Sequence, residues 1–231
     1  MAAAGSGERL GAGGPKAFVP LAGRPMIEWS IEAFRACEAV SSIVVAAPAG
    51  YAAELGGGDL GVVSGGVTRA QSVANALAAV STAVVAIHDA ARPLLTPALV
   101  EALLTQLEEA PEAAGVIAAT PITDTIKRAT ASPGSLCLPD GQKEPRNVAE
   151  TLDRSQLWAA QTPQLFRTEA LREALASVPS PEQATDEAML VERAGGTVLI
   201  HPCGPENIKV TTPLDLRVAE LLLAERSAAQ Q

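Results

Sequence analysis

Short apolar segments rich in β-branched residues alternate along this chain with longer segments in which apolar residues recur at helical spacing. Such alternation is typical of an α/β protein, whose mostly parallel sheet is covered by helices on both faces. The segments predicted as strands are 43–47, 61–64, 83–88, 115–119 and 197–201.

The helical segments fall between or after these strands. Segments 25–37 and 68–80 carry apolar residues at helical spacing, so each predicts a crossover helix with one buried face. Thr96-Pro97 and Thr212-Pro213 each place a capping hydroxyl before a proline, which is a frequent start of a helix.

The composition indicates a folded protein with one sizeable core. Of the 231 residues, 48% are hydrophobic and 19% are charged, which excludes disorder as the main state and predicts a single domain over residues 1–231. The formal net charge of −9 argues against a nucleic-acid partner, because binding a polyanion broadly requires basic faces. No apolar run approaches the roughly 18 residues of a membrane span, so no membrane partner is expected.

The cysteines and the amino-terminal residues indicate the compartment. Cys37, Cys137 and Cys203 stand far apart in the sequence, without the spacing of a zinc site or a disulfide framework. The first ten residues have neither the basic nor the apolar section of a secretion signal. We therefore expect an unprocessed protein in the reducing cytoplasm.

One stretch, at about residues 121–158, interrupts the alternation with prolines and glycines and little periodicity. A structureless loop of this length is uncommon inside a compact domain. Two interpretations remain open: a flexible insertion, or an extended arm that leaves the core and packs on a partner chain.

A glycine-rich loop near the amino terminus is the first candidate site. It runs from Ala4 through Gly5, Gly7 and Arg9 to Lys16. Glycines allow backbone N–H groups to turn toward phosphate oxygens, and the arginine and lysine add two cations, so the loop suits a triphosphate. The pattern matches neither the dinucleotide fingerprint nor a Walker loop. A mobile loop with two solvated cations is the alternative.

Asp89 is the candidate metal ligand. It follows a predicted buried strand, and ligands of open α/β sheets collect at the carboxyl ends of strands, where a carboxylate can hold Mg²⁺ beside phosphates. A helix-capping role for Asp89 is the alternative. The neighbouring His88 is predicted to be a buried structural residue because side chains alternate along a strand.

Two further segments carry polar residues at helix starts. Gly66 precedes a helix with Arg69 and Ser72 in its first turns, which can contact a base, a ribose or an anion, although an ordinary turn would look similar. Lys209 lies just before the last predicted helix. It is one of four lysines in the chain, and Lys16 is another, which suggests that both are placed cations.

Together these segments resemble the 2-C-methyl-D-erythritol 4-phosphate cytidylyltransferases, a family of nucleotidyltransferases. The matching motifs cover the chain from Ala3 to about Leu222. In order they are A-A-G-S-G-x-R-L-G followed by P-K, G-G-x-x-R-x-x-S, H-D-A-A-R-P, D-T-I-K, D-R-x-x-L-W with Q-T-P-Q-x-F, T-D-E-A, and N-I-K-V-T-x-P-x-D-L.

The resemblance implies transfer of a cytidylyl group from CTP to 2-C-methyl-D-erythritol 4-phosphate, with release of pyrophosphate, in non-mevalonate isoprenoid biosynthesis. It implies a Rossmann-like, three-layer α/β fold with a mostly parallel sheet and a protruding dimerisation arm. It also implies a homodimer in which the arms exchange.

The resemblance assigns roles to individual residues. Arg9 and Lys16 would stabilise charge at the reacting phosphorus, while Arg154 and Lys209 would position the incoming phosphate. Asp89 would bind Mg²⁺. The residues implied around the cytidine are Gly66, Ser72 and Ala90, and those implied around the methylerythritol phosphate are Arg92, Thr125, Thr162 and Thr185.

One departure from the family pattern concerns the first strand, of which only Met1 to Ala4 remain ahead of the glycines of the loop. We expect a weakened core and a poorly anchored loop there. Two other functions stay open: cytidylyl transfer to another polyol phosphate such as ribitol 5-phosphate, and a nucleotide-binding subunit without turnover. The residues of the motifs H-D-A-A-R-P and D-T-I-K favour methylerythritol phosphate as the acceptor substrate.

Overall fold

The computed structural model describes residues 1–5, 10, 14–55, 60–130 and 147–229. The α-helices within these ranges are α1 (Met26–Arg35), α2 (Arg69–Leu77), α3 (Pro97–Glu109), α4 (Thr168–Ser177), α5 (Glu187–Arg193) and α6 (Pro213–Ala229). The strands are β1 (Pro20–Leu21), β2 (Arg24–Pro25), β3 (Ile43–Ala47), β4 (Leu60–Ser64), β5 (Val84–Ile87), β6 (Gly115–Pro121), β7 (Lys127–Ala129), β8 (Val148–Thr151), β9 (Trp158–Arg167) and β10 (Val198–Pro202).

The central sheet consists of two halves. One half has the order β10-β6-β9-β5, and the other is the parallel pair of β3 and β4. Ala2 lies between them and forms parallel bridges to Ala46 on one side and to Asp89 on the other. The order across the molecule is therefore β4, β3, residues 1–3, β5, β9, β6 and β10.

Helices cover both faces of this sheet. On one face α1 and α3 pack on the first residues, β3, β6 and β9. On the other face α2, α4 and α5 pack on β5, β6 and β9. The predicted three-layer α/β fold is confirmed, and the five predicted strands and four predicted helices are all present within a few residues of their predicted bounds.

The helix starts also form as predicted. The Thr96 hydroxyl accepts from the Leu99 N–H at 3.3 Å, and the Thr212 hydroxyl accepts from the Asp215 N–H at 3.2 Å. Each caps a helix whose first residue is proline, so the helix loses no hydrogen bond there. On α1 the predicted apolar face is buried, with Ile27 fully enclosed.

Strand β9 was not predicted, and it makes the sheet mixed rather than wholly parallel. It runs antiparallel to both β5 and β6, and the β6–β9 register shifts between Ile117 and Ala119. Its first residue, Trp158, is the last residue of the segment predicted as an arm. The polar sequence of β9 does not predict a buried strand. Gln161, Thr162 and Gln164 are nevertheless buried and hydrogen-bonded.

The rest of the predicted arm contains the antiparallel hairpin of β7 and β8. Every residue of the two strands is exposed, so the hairpin contributes nothing to the core of its own chain. Residues 131–146 lie outside the described part, and Cys137 with them; Cys37 and Cys203 are free thiols.

The first residues are well held despite their shortness. Met1 and Ala3 are 9% and 3% exposed, and the Ala3 N–H donates to the Ala46 carbonyl at 3.0 Å. Beside Met1, however, an apolar cavity of about 270 Å³ separates β3 from β5, with Val44 and Val85 among its lining residues. The weakened core stays a prediction, and the rest of the glycine-rich loop lies largely outside the described residues.

Gly115, at the start of β6, permits the closest packing in the sheet. A Cβ at this position would lie 2.3 Å from Cδ1 of the fully buried Phe166 and 2.8 Å from the Leu165 carbonyl oxygen. We predict that Gly115→Ala lowers the free energy of unfolding by about 1–3 kcal/mol, measured by urea denaturation. Gly61→Ala in β4 is the matched control, because its nearest contact is a valine methyl at 3.3 Å; equal losses in both variants would contradict this account.

Candidate active site

A cleft of about 650 Å³ opens at the carboxyl ends of β4 and β5. Four segments meet there: the glycine-rich loop with Lys16, the start of α2, the loop after β5, and the loop before α6. The lining residues that sequence analysis had singled out are Ala4, Gly5, Lys16, Gly66, Arg69, Ser72, Asp89, Ala90 and Lys209.

Asp89 lies at the centre of this cleft and is 8% exposed. Arg69 donates from Nε to its Oδ1 at 3.2 Å, and Lys209 donates from Nζ to its Oδ2 at 2.6 Å. Burial raises the pKa of the Asp89 carboxyl, but the two cations lower it more, so the pKa is well below its usual range. The carboxylate is therefore ionised at neutral pH, with one cation on each oxygen.

Glu187, the first residue of α5, is a second carboxylate behind the cleft. It is 1% exposed, and its Oε1 accepts from Nη1 of Arg69 at 2.5 Å, whereas its Oε2 has no hydrogen-bond partner. Burial raises the pKa of Glu187, and Arg69 opposes that shift. Arg69 thus bridges Asp89 and Glu187.

The start of α2 is shaped by two glycines. A Cβ on Gly65 would lie 2.4 Å from the Ala4 Cβ, and one on Gly66 would lie 2.4 Å from the Gln71 side chain. The Gly66 N–H donates to Ser72 Oγ at 2.9 Å. The glycines therefore let the first residues approach α2 closely, which places Ala4 and Ser72 on the same wall of the cleft.

A buried network supports Asp89 from behind. The Asp89 N–H donates to Thr162 Oγ1 at 3.0 Å, and Nδ1 of His88 lies 3.1 Å from the same hydroxyl. His88 Nε2 lies 3.1 Å from the Arg92 carbonyl oxygen. The prediction of a buried structural His88 is confirmed, since its side chain has no exposure.

Arg92 connects this network to the loop before α6. Its Nη1 donates to the Asn207 carbonyl at 2.6 Å, while its buried Nε has no partner. Asn207 in turn donates to the Thr162 carbonyl at 2.9 Å. The Lys209 loop is also fixed by Asp215, whose carboxylate accepts from the Thr211 hydroxyl and from the Thr211 and Thr212 N–H groups. Burial raises the pKa of Asp215, but these hydrogen bonds outweigh it and lower the pKa to about 2.

The other predicted residues that the structure describes do not line this cleft. Thr125, Arg154 and Thr185 are exposed, and the Arg154 guanidinium donates to the Thr123 carbonyl at the base of the β7–β8 hairpin. Gly7 and Arg9 lie outside the described residues. Of the predicted charged residues, the structure brings Lys16, Arg69, Asp89 and Lys209 together in this cleft.

Sequence analysis did not identify Glu187 or Asn207 as site residues, although both lie in motifs that it quoted. Glu187 follows Asp186, whose side chain accepts from the Met189 N–H at 3.0 Å and caps α5. A capping aspartate in T-D-E-A predicts a helix start, but the sequence gives no sign that the next side chain points inward to Arg69.

The chemistry of the cleft is that of polyanion binding. Three cationic side chains surround one ionised carboxylate. Among the described residues there is no group of three or more histidine, cysteine, aspartate or glutamate side chains that could hold a metal alone. A divalent cation at Asp89 would need further oxygen ligands from a bound substrate or water. No helix in the described ranges is long and apolar enough to cross a membrane.

The burial of His88 predicts a dependence of stability on pH. Burial lowers the pKa of His88 to about 3, whereas the unfolded chain binds this proton near pH 6.5. Stability is then complete above the unfolded value and falls as the pH decreases toward the folded value. We expect a loss of about 1 kcal/mol per pH unit between about pH 6 and pH 5, measured by urea denaturation. His88→Gln removes the titrating ring, so a wild-type slope in that variant would contradict the assignment.

Comparison with known proteins places the chain among enzymes of one kind. The family model described as 2-C-methyl-D-erythritol 4-phosphate cytidylyltransferase (IspD) matches residues 1–225. The protein of that name from Parasynechococcus marenigrum is 42% identical over 235 residues, covering 98% of this chain and 97% of the relative. The bifunctional enzyme IspD/IspF of Anaeromyxobacter dehalogenans is 44% identical over 232 residues; the match covers 96% of this chain and 56% of that relative. The crystal structure of the cytidylyltransferase from Thermus thermophilus superposes with a TM-score of 0.70 at 32% identity, covering 96% of this chain and 98% of that one.

Proposed function

The chain belongs to the 2-C-methyl-D-erythritol 4-phosphate cytidylyltransferase family, and we propose that it transfers the cytidylyl group of CTP to 2-C-methyl-D-erythritol 4-phosphate. The products are 4-diphosphocytidyl-2-C-methyl-D-erythritol and pyrophosphate, within non-mevalonate isoprenoid biosynthesis. The observation that carries the proposal is the meeting of Lys16, Asp89 and Lys209 in one cleft at the end of the sheet.

The reaction is a displacement at phosphorus. An oxygen of the methylerythritol phosphate attacks the α-phosphorus of CTP and forms the new P–O bond, while the bond to the β-phosphate breaks and pyrophosphate leaves with the electron pair. The attacking phosphate is already ionised at neutral pH, so no general base is needed. The main barrier is the mutual repulsion of two polyanions, which placed cations reduce.

In this proposal Arg9 and Lys16 stabilise the charge that develops on the α-phosphate and the leaving pyrophosphate. The Lys16 N–H donates to the Gly5 carbonyl at 3.1 Å, which ties Lys16 to the first residues of the glycine-rich loop. Ala4, Gly5 and Gly7 would contact the triphosphate through their backbones, and Lys209 would position the incoming phosphate.

The residues present fit a Mg²⁺ ion. Asp89 offers an ionised, largely buried carboxylate, and Mg²⁺ in phosphoryl-transfer sites is commonly held by one or two carboxylates together with substrate phosphates and water. When bound, the ion would neutralise charge on the phosphates. Lys209 and the ion would compete for the Asp89 carboxylate. Lys209 would therefore leave Asp89 and turn toward the phosphate when the ion binds.

The other proposed contacts surround these groups. Gly66, Arg69, Ser72 and Ala90 line the wall where the cytidine would lie. The buried Nε of Arg92 has no hydrogen-bond partner, and we propose that it binds the methylerythritol phosphate. The buried Thr162 would act indirectly, because its hydroxyl accepts from the Asp89 N–H. Thr125 and Thr185 are proposed to contact the methylerythritol phosphate from the exposed side.

The exposed hairpin supports a homodimer with exchanged arms. Arg154 lies beside the hairpin and away from the cleft of its own chain. Exchange of the arms would carry Arg154 to the cleft of the partner, where it would position the incoming phosphate. We further propose that residues 1–231 act as one domain and that the enzyme works in the cytoplasm.

The activity is tested by incubating the protein with CTP, Mg²⁺ and one polyol phosphate at a time, and measuring pyrophosphate. We predict turnover with methylerythritol phosphate and a loss of about 10²-fold or more in Lys16→Ala, because a preorganised cation at the phosphate is removed. Arg24→Ala, which removes a cation that pairs with Glu32 and does not line the cleft, is the control. Preference for ribitol 5-phosphate, or near-normal turnover by Lys16→Ala, would refute the proposal.

Arm exchange predicts complementation between two inactive variants. Each cleft would combine Lys16 of one subunit with Arg154 of the other, so a mixed dimer of Lys16→Ala and Arg154→Ala contains one intact cleft. After co-refolding, the mixture should regain activity that neither variant has alone, measured as pyrophosphate release. Absence of any recovery in a mixture shown to contain mixed dimers, or full activity of a monomer, would contradict the exchange.

A further inference from the structure

Glu187 is the polar group in the site whose presence the reaction does not explain. It faces neither the cleft nor solvent, and its only hydrogen-bonded partner among the contacts of the described residues is Arg69. Burying a carboxylate with one oxygen unpaired is costly, and a buried ion pair is weak evidence of a stabilising role. A role in the site can therefore account for the glutamate at this position.

Arg69 divides its charge between two carboxylates. Its Nε donates to Asp89 at 3.2 Å and its Nη1 to Glu187 at 2.5 Å, so the shorter contact is with Glu187. Asp89 also receives Lys209 at 2.6 Å. Two cations paired with one carboxylate carry more positive charge than that carboxylate balances. Glu187 balances part of the excess, because it also pairs with Arg69.

Glu187 is itself held rigidly. Asp186 accepts from Gln164 Nε2 at 2.8 Å, and the Ala188 N–H donates to Gln164 Oε1 at 3.3 Å, so the first turn of α5 is fixed to β9 on both sides of Glu187. Arg69 is the first residue of α2. The ion pair therefore fastens the starts of two helices on either side of the loop that carries Asp89.

From these contacts we infer that Glu187 is a positioning residue, which acts through Arg69 to keep Asp89 negative enough to hold a divalent cation. It touches neither substrate nor the reacting atoms. Without its charge, Arg69 turns wholly to Asp89 and competes with the cation for the carboxylate. This inference rests on the proposed function, because it assigns Asp89 the role of cation ligand.

The test is the affinity of the protein–CTP complex for Mn²⁺, followed by paramagnetic relaxation of water protons, in which no acceptor or turnover is needed. Glu187→Gln keeps the shape and removes the charge. We expect its Mn²⁺ dissociation constant to rise about tenfold, as is usual when the partner of a ligand-orienting group is lost, while CTP binding without metal changes less than about twofold. Glu187→Asp keeps the charge and should stay near wild type.

Glu169→Gln is the matched control, because Glu169 pairs with Arg172 on the exposed surface of α4; its Mn²⁺ affinity should not change. Thermal unfolding of each variant distinguishes a structural role. A lowered unfolding midpoint in Glu187→Gln with unchanged Mn²⁺ affinity overturns the inference, as does an equal loss of affinity in Glu187→Gln and Glu187→Asp. Failure of the wild type to bind CTP would instead refute the proposed function.

Discussion

The site depends on one buried carboxylate whose charge is balanced by side chains from distant parts of the chain. Asp89 follows strand β5, and Arg69 begins helix α2. Lys209 lies in the loop before α6, 120 residues after Asp89. Each of these groups is expensive to bury alone, and their mutual attraction in a partly dry cleft is what makes the arrangement tenable. Because the chain is acidic as a whole, with a net charge of −9, this local gathering of cations stands out against its surroundings.

The sheet is what brings these groups to one place. β4 and β5 end at the same edge, and residues 1–3 lie between β3 and β5, so the glycine-rich loop leaves the sheet beside Asp89. Hydrogen bonds from Ala2 and Ala3 to the flanking strands hold this short segment in place. The fold thereby places the first residues of the glycine-rich loop and the start of α2 beside the carboxylate.

Local rules were sufficient to predict most of this framework. Apolar periodicity predicts strand β3 and helix α1. A threonine before a proline predicts the starts of α3 and α6. Strand β9 escaped because its buried face is made of Gln161, Thr162 and Gln164, whose burial is favourable only after hydrogen bonds to Asn207, Asp89 and Asp186 have formed. Asp89 could be predicted as a cleft residue because it follows a strand, and the cleft lies at the ends of strands. Glu187 could not be predicted, because packing rather than sequence spacing directs its side chain inward.

Strand β9 also connects the base of the hairpin with the support of Asp89. Its first residue, Trp158, pairs with Pro121 where the hairpin leaves the body of the molecule, and four positions later Thr162 receives the amide of Asp89. The backbone that carries the exposed hairpin thus continues directly into the strand that supports the carboxylate.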